Sequence, residues 1–194
     1  MLKAGVELIA QGNFDPTVRT ICTLANVNQG MFVYYFGFKD EYIKILFHKI
    51  YGEYLDYLQS YTEKDAKAIV QLQKIFYLMA KYFVDNFNTA YFLTSSLQKN
   101  KAAAYFTDYR VQHFIFIRTL IEQAQQDGDI CSDLNSYEVY MTLHSILIQP
   151  LIIKNTILQK HGDEPIMEKL NRLDVASDAS LQKRLRVAFK GLRP

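Results

Sequence analysis

The chain has 194 residues, of which 49% are hydrophobic and 22% charged, and its formal net charge is +2, which is typical of a globular protein with a substantial core. Its two isolated cysteines exclude a disulfide framework, and it has neither a signal-peptide pattern nor an apolar run long enough to span a bilayer, so we expect a cytoplasmic protein. With only 8 glycines and 4 prolines, long helices are favoured over turn-rich β structure.

The first predicted element is a helix over Leu2–Gln11, which ends at Gly12. A second helix is predicted to begin at Asp15, whose carboxylate caps it, with Pro16 at the first helical position. Apolar residues recur along this helix at helical spacing, namely Val18, Ile21, Cys22 and Ala25.

A sharp turn is predicted at Asn26, because Asn tolerates a left-handed backbone better than most residues other than Gly. Asn28 then caps a short helix from Gln29 to Tyr35. Gly30 within that helix indicates close approach of another helix or of a nucleic-acid backbone. Two helices joined in this way form a helix-turn-helix, an element that can place its second helix in the major groove of DNA.

Residues 25–41, ANVNQGMFVYYFGFKDE, resemble the pattern A-G-V-S-x-G-x-L-Y-x-H/Y-F-x-S-K-E of the TetR (tetracycline-repressor-like) family. Upstream, residues 17–22 are similar to the T-V-R-x-I-A of that family, and Gly12 with Phe14 matches its Gly-Phe before helix two. The resemblance covers roughly residues 2–45.

The chain departs from the pattern at several positions. Asn26 replaces the turn Gly and Asn28 the capping Ser, and both still suit those roles, whereas Val33 stands where the family has a packing Tyr and Phe38 where it has Ser. The resemblance implies an all-α protein. An N-terminal three-helix helix-turn-helix module, residues 1–45, would be joined to a helical ligand-binding and dimerisation body, residues 46–194.

The expected DNA contacts follow from the resemblance and from side-chain chemistry. A recognition helix presents its N-terminal residues to base edges, where Gln29 suits adenine and Met31 suits a thymine methyl. Three further positions, Thr17, Tyr35 and Lys39, contact phosphates in the resembling family. The expected DNA-binding residues are Thr17, Arg19, Asn28, Gln29, Met31, Tyr34, Tyr35 and Lys39, while Phe32, Val33 and Phe36 are assigned to the module core.

The net charge of residues 1–45 is zero, because four basic side chains balance four acidic ones. They are Lys3, Arg19, Lys39 and Lys44 against Glu7, Asp15, Asp40 and Glu41. Phosphate neutralisation supplies most nonspecific affinity for duplex DNA, so a single module should bind weakly. Two modules on one dimer should bind better, because the second contact becomes intramolecular.

The rest of the chain reads as a series of helices with a polar joint at Ser60–Asp65. The apolar helix over Tyr137–Gln159 should be buried on more than one side and kinked at Pro150. The basic residues of the last helix, Lys183, Arg184, Arg186 and Lys190, are assigned to a solvated face. The predicted helices are Asp40–Leu58, Ala66–Phe87, Tyr91–Leu97, Ala102–Gln126, Tyr137–Gln159, Pro165–Leu173 and Ser177–Lys190.

Aromatic residues concentrate in the middle helices, and two interpretations stand: an ordinary helical core, or a pocket for an apolar or aromatic small molecule. The pocket residues under the second interpretation are Phe76, Tyr77, Met79, Phe83, His113, Phe116, Ile117 and His144. By resemblance, the helices at 137–159 and 177–190 should pair with those of a second copy. The expected dimer residues are Leu143, Ile146, Leu147, Leu181, Leu185 and Ala188.

No catalytic motif is present, the four histidines lack metal-ligand spacing, and no cofactor is expected. The sequence therefore predicts a homodimeric, ligand-responsive repressor that binds a palindromic DNA operator and does not act at a membrane. The alternative is a helical small-molecule-binding protein that keeps a degenerate DNA module. A second alternative is a regulator that binds other proteins through its basic last helix.

Overall fold

The computed structural model describes residues 1–60, 65–95, 103–158, 168–169 and 172–194, and for 103–112 and 157–158 it describes the backbone alone. These residues form helices joined by turns, with no β-strand among them, which confirms the predicted all-α fold class. A π-helical turn, Lys154–Leu158, follows α9. The α-helices are α1 (Leu2–Ala10), α2 (Val18–Leu24), α3 (Gln29–Phe36), α4 (Lys39–Ser60), α5 (Ala68–Asp85), α6 (Phe87–Ser95), α7 (Ala103–Gln126), α8 (Ser136–Leu147), α9 (Gln149–Ile153) and α10 (Asp178–Gly191).

Predicted and observed boundaries agree to within two residues for α1, α3, α4, α5, α7 and α10. Helix α6 begins four residues before the predicted position, at Phe87 instead of Tyr91. The predicted joint over 60–65 and the predicted short helix over 165–173 fall largely outside the described residues.

Two compact units divide the chain: residues 1–57 with 86–110, and residues 58–85 with 111–194. The functional boundary placed after residue 45 stays a prediction. The first unit contains α1, α2, α3, α6 and most of α4, while the second contains α5, α8, α9 and α10.

In the first unit, α1 approaches the start of α4 closely. Gly5 permits this, because a Cβ built there would lie 2.1 Å from Tyr42 Oη. Tyr42 is fully buried, its ring centroid lies 5.1 and 4.9 Å from those of Phe32 and Phe36, and its hydroxyl donates to the Met1 carbonyl at 3.1 Å. Burial raises the pKa of Tyr42 to about 12, so the buried phenol stays neutral.

In the second unit, the long apolar helix predicted over 137–159 is divided at Ile148 into α8 and α9. Pro150 has no N–H and so cannot donate to the carbonyl of Ile146, four residues earlier. Leu151 donates to Ile148 at 3.0 Å, a three-residue step, which frees the carbonyl of Leu147 as well. The kink predicted at Pro150 is thus confirmed as a break in the helix.

Arg184 on α10 occupies the two carbonyls that the break releases. Its guanidinium donates to the oxygen of Ile146 at 3.2 Å and to that of Leu147 at 2.9 Å, and it also donates to the carbonyl of Val175. The prediction that Arg184 lies on a solvated face is therefore wrong. Its guanidinium lies at the C-terminal end of α8, where its positive charge also complements the negative end of the helix dipole.

Candidate nucleic-acid interface

Helix α2 begins at Val18, because the extended backbone of Thr17 makes it the capping residue. The Thr17 hydroxyl oxygen accepts from the Thr20 N–H at 3.1 Å. The predicted cap at Asp15 is wrong, since its carboxylate instead binds Lys39 Nζ at 2.7 Å. This ion pair ties the loop before α2 to the first residue of α4.

The turn after α2 is the left-handed one predicted at Asn26, where φ is 52°. Asn26 donates to the carbonyl of Thr23 at 3.1 Å, and Val27 donates to that of Cys22 at 3.0 Å. These two bonds are the Schellman pattern, which satisfies carbonyls at a helix C-terminus and turns the chain sharply. Cys22 is buried, as predicted for a small hydrophobic residue of the module core.

Asn28 caps α3 as predicted, with its side-chain oxygen accepting from the Met31 N–H at 2.9 Å. The helix buries Phe32 almost completely and holds Phe36 partly buried, so one narrow stripe faces the module core. Val33 is 60% exposed, so its assignment to the core is wrong. It lies one residue from Phe32, which is a rotation of about 100° away from the buried stripe.

The structure brings the expected DNA-binding residues to the surface of one unit. Seven of them are exposed, and Lys39 is partly buried in its ion pair with Asp15. The Thr17 hydroxyl is used as a helix cap, which leaves less of its bonding capacity for a phosphate. Phe38, which was not predicted as a contact, is exposed beside the predicted residues Arg19, Asn28, Gln29, Met31, Tyr34 and Tyr35.

Tyr34 was expected at this surface, whereas Phe38 was not. Tyr34 is 82% exposed and lies opposite the buried stripe of α3, with Gly30 one turn before it on the same side. Phe38 is also 82% exposed, just after Gly37 turns the chain with φ at 66°. Helical rotation from Phe32 and Phe36 also predicts the outward position of Tyr34, whereas the exposure of Phe38 was not predicted because Phe is usually buried.

The proposed pocket residues all belong to the second unit. Phe76, Met79, Phe83 and Ile117 are buried, whereas Phe116 is 42% exposed. The remaining three, Tyr77, His113 and His144, are partly buried, and the Tyr77 hydroxyl donates to the carboxylate of Asp178.

Tyr140, which the sequence did not single out, joins some of these side chains into one aromatic cluster. Its ring centroid lies 5.9 Å from that of Phe76, 5.4 Å from that of Phe114 and 5.8 Å from that of His144. Phe76 and His144 are therefore brought together through Tyr140. The assignment of these residues to a pocket stays a prediction.

Of the residues expected at a dimer interface, all but Ile146 are buried within the chain itself, because α8, α10 and α5 pack on one another. They have little or no surface to offer a second copy. On α8 and α10, the exposed large apolar side chains are Tyr137, Met141 and Val187, at 57%, 43% and 59%. None of the described helices is both long and apolar enough to cross a membrane.

Comparison with solved structures identifies the fold. A TetR-family regulatory protein from Rhodococcus RHA1 superposes with a TM-score of 0.71 at 14% identity, covering 99% of this chain and 94% of its own. A transcriptional regulator from Bacillus subtilis, solved in complex with stearoyl-CoA, gives 0.70 at 16% identity over 99% and 97%. A ketosteroid transcriptional regulator of Mycobacterium tuberculosis gives 0.64 at 15% over 100% and 93%.

No protein-family model matches the sequence, and no curated protein matches it either. The chain has the fold of TetR-family transcriptional regulators over essentially its whole length. The resemblance read from residues 2–45 is thus confirmed at the level of the fold.

Proposed function

We propose that this chain is a cytoplasmic, DNA-binding transcriptional regulator of the TetR family, a homodimer that represses from a palindromic operator until an apolar small molecule releases it. The observation that carries the proposal is the surface of α3. This helix is capped at its N-terminus, anchored through one buried stripe, and exposes its opposite face, as a recognition helix in the major groove must.

The contacts within this surface divide by chemistry. Gln29 lies exposed in the first turn of α3, where an amide can pair with the N6 and N7 groups of adenine. Lys39 and Arg19 supply positive charge for phosphates. Tyr35 is 60% exposed, and its ring contacts that of Tyr34 edge-on with centroids 5.1 Å apart. This ring contact restricts the rotation of the Tyr35 side chain, so its hydroxyl is held in a limited range of positions, which suits a phosphate contact.

Dimerisation is proposed through the exposed faces of α8 and α10, where Tyr137, Met141 and Val187 lie. The buried residues of those helices support this surface from inside. We expect Val187→Asp to convert the dimer into a folded monomer, because a carboxylate would have to be desolvated at the interface. Val70→Asp is the matched control, since Val70 is 48% exposed on α5. Light scattering would separate the two, and a dimer that survives Val187→Asp places the interface elsewhere.

An apolar effector is proposed because the second unit contains the cluster of Phe76, Phe114, Tyr140 and His144. Apolar walls with a few polar groups suit such a molecule. Two structural neighbours support an apolar effector: one was solved in complex with stearoyl-CoA, and the other is a ketosteroid transcriptional regulator. A ligand that favours a conformation in which the two recognition helices no longer match the two half-sites lowers the affinity for DNA. By thermodynamic linkage, bound DNA lowers the affinity for the ligand by the same factor.

DNA selection with the purified protein tests the proposal, with the bound fragments sequenced at low and at moderate salt. We expect an inverted repeat with half-sites a helical turn or more apart. Gln29→Ala should then relax base preference at one position, while Lys39→Ala should weaken all sites alike. Gln182→Ala, an exposed glutamine of the second unit, should change neither.

The selected duplex then serves to test release. Stearoyl-CoA and free stearate are added to the labelled complex, with coenzyme A alone as the control that lacks the acyl chain. Release by both acyl compounds but not by coenzyme A supports an apolar effector. If no fragment is enriched while stearate binds tightly, the chain is instead a small-molecule-binding protein with a degenerate DNA module.

A further inference from the structure

The outward face of α3 is uncharged. Because successive residues rotate by about 100°, Gly30 and Tyr34 lie opposite the buried Phe32 and Phe36. Met31 flanks this line on one side at 40% exposure. Gly30 has no side chain, and a Cβ there would meet only Asn28 Oδ1 within 4 Å, at 3.1 Å. The helix backbone can therefore come close to whatever this face contacts.

Large exposed side chains lie on both sides of this face, where Val33 and Tyr35 are each rotated by about 100° from Tyr34, and just beyond the helix at Phe38. Val33 and Tyr35 are each 60% exposed, and Phe38 is 82% exposed. Contiguous apolar exposure in a folded protein marks a surface that contacts a partner. Here that surface coincides with the recognition helix and with the residue that follows it.

The positive charge around this face is small. Lys39 is held by Asp15 at 2.7 Å, and Lys44 lies 3.5 Å from Glu41. Arg19 on α2 is exposed, and no ion pair is seen for it within the part of the chain that the structure describes. Arg19 and Lys39 are the only cations among the expected DNA-contact residues, so these residues can neutralise about two phosphates in each module, which is few for a DNA-binding protein.

We infer that this module reads its operator mainly through apolar contacts to the C5 methyl groups of thymine, with little help from phosphate neutralisation. The inference rests on the proposed function. The thymine methyl is the apolar group that base edges present in the major groove, so it is the natural counterpart of Met31 and Tyr34. Half-sites therefore contain thymine at fixed positions opposite these two side chains.

Replacement of thymine by uracil in the selected operator tests the inference, because uracil keeps every hydrogen-bonding edge and phosphate and lacks only the methyl. Burial of one methyl is worth about three- to fivefold in affinity, so loss of one contact in each of two half-sites should weaken binding by about 10- to 25-fold. Single substitutions should locate the effect at one or two positions per half-site. A substitution outside the half-sites is the control.

Protein variants identify the side chain responsible. Met31→Ala should lose the preference for thymine over uracil at the position opposite Met31 and keep it opposite Tyr34. Val70→Ala, at an exposed apolar residue of the second unit outside the proposed dimer face, should keep the full difference at both positions. In parallel, the logarithm of the binding constant should fall with the logarithm of salt concentration with a slope no steeper than about −4 for two modules.

The outcomes separate the inference from the function. Enrichment of an operator that binds equally well with uracil, or that shows a slope near −10, overturns the inference and leaves the regulator intact. Enrichment of half-sites without thymine has the same meaning. Absence of binding to any duplex overturns both, and the apolar face then belongs to a contact with another protein.

Discussion

Arg184 should be essential to the second unit, because it replaces hydrogen bonds that Pro150 removes. Its guanidinium serves the carbonyls of Ile146, Leu147 and Val175. Burial lowers the pKa of Arg184, a cost that these carbonyls and the nearby Asp174 offset. Arg184→Met keeps the apolar stem and removes every donor, so it isolates the hydrogen-bonding contribution.

The magnitude follows from the number of acceptors left without a donor. Each partly buried carbonyl that loses its partner costs about 1 kcal/mol or more, so three of them give about 2–4 kcal/mol of destabilisation. Arg184→Lys should recover only part, since an ammonium group lacks the planar fork that reaches adjacent carbonyls. Arg186→Met is the matched control on the same helix, and because Arg186 is exposed we expect a change within about 0.5 kcal/mol.

A double-mutant cycle makes the reasoning specific. Pro150→Ala restores an N–H that can donate to Ile146, so it should stabilise Arg184→Met by about 1 kcal/mol more than it stabilises the parent protein. Unfolding in urea, followed by circular dichroism because the chain has no Trp, measures all four proteins. Strict additivity, or an Arg184→Met protein as stable as Arg186→Met, would refute the link between Arg184 and the helix break.

Three further predictions concern the first unit. Gly5→Ala should destabilise the first unit by about 1–3 kcal/mol, because the new Cβ would lie 2.1 Å from Tyr42 Oη. Gly52→Ala, where a Cβ would meet nothing within 4 Å, should instead stabilise α4 by about 0.5–1 kcal/mol. Equal urea midpoints for the two variants would contradict this. The pKa of about 12 for Tyr42 means that the folded state favours the neutral phenol. The contribution of this preference to the free energy of unfolding is therefore fully present below pH 10 and is lost between pH 10 and 12. Tyr42→Phe should reduce this pH dependence in urea titrations. Asn26→Val should cost about 1–2 kcal/mol, since a β-branched residue fits poorly at a φ of 52°, and Asn26→Gly should cost almost nothing by the same assay.

Local chemistry made much of the fold predictable. Asn26 and Asn28 were assigned a left-handed turn and a helix cap, and both assignments are confirmed by backbone angle and hydrogen bond. The start of α2 was less predictable, because Asp15 and Thr17 are both good capping residues. The choice depends on Lys39, 24 residues away in sequence from Asp15, and a local pattern does not contain that contact.

The second unit shows that an apolar stripe on a helix does not reveal which surface covers it. Leu143 and Leu185 were expected to face a second copy, and a stripe does predict burial. Periodicity cannot tell whether the covering surface is another helix of the same chain or of a dimer. Phe38 shows the converse, since its type predicts burial and its position after Gly37 leaves it exposed.

Hydroxyl-radical footprinting with and without the selected duplex tests the central claim most directly, because it reports which side chains the DNA covers. The account predicts that Met31, Tyr34 and Tyr35 lose reactivity on binding. Ile115 and Leu173, exposed in the second unit and outside the proposed dimer face, should keep theirs. Protection of Ile115 or Leu173 with no change at Tyr34 would contradict the assignment of α3 as the DNA-reading helix.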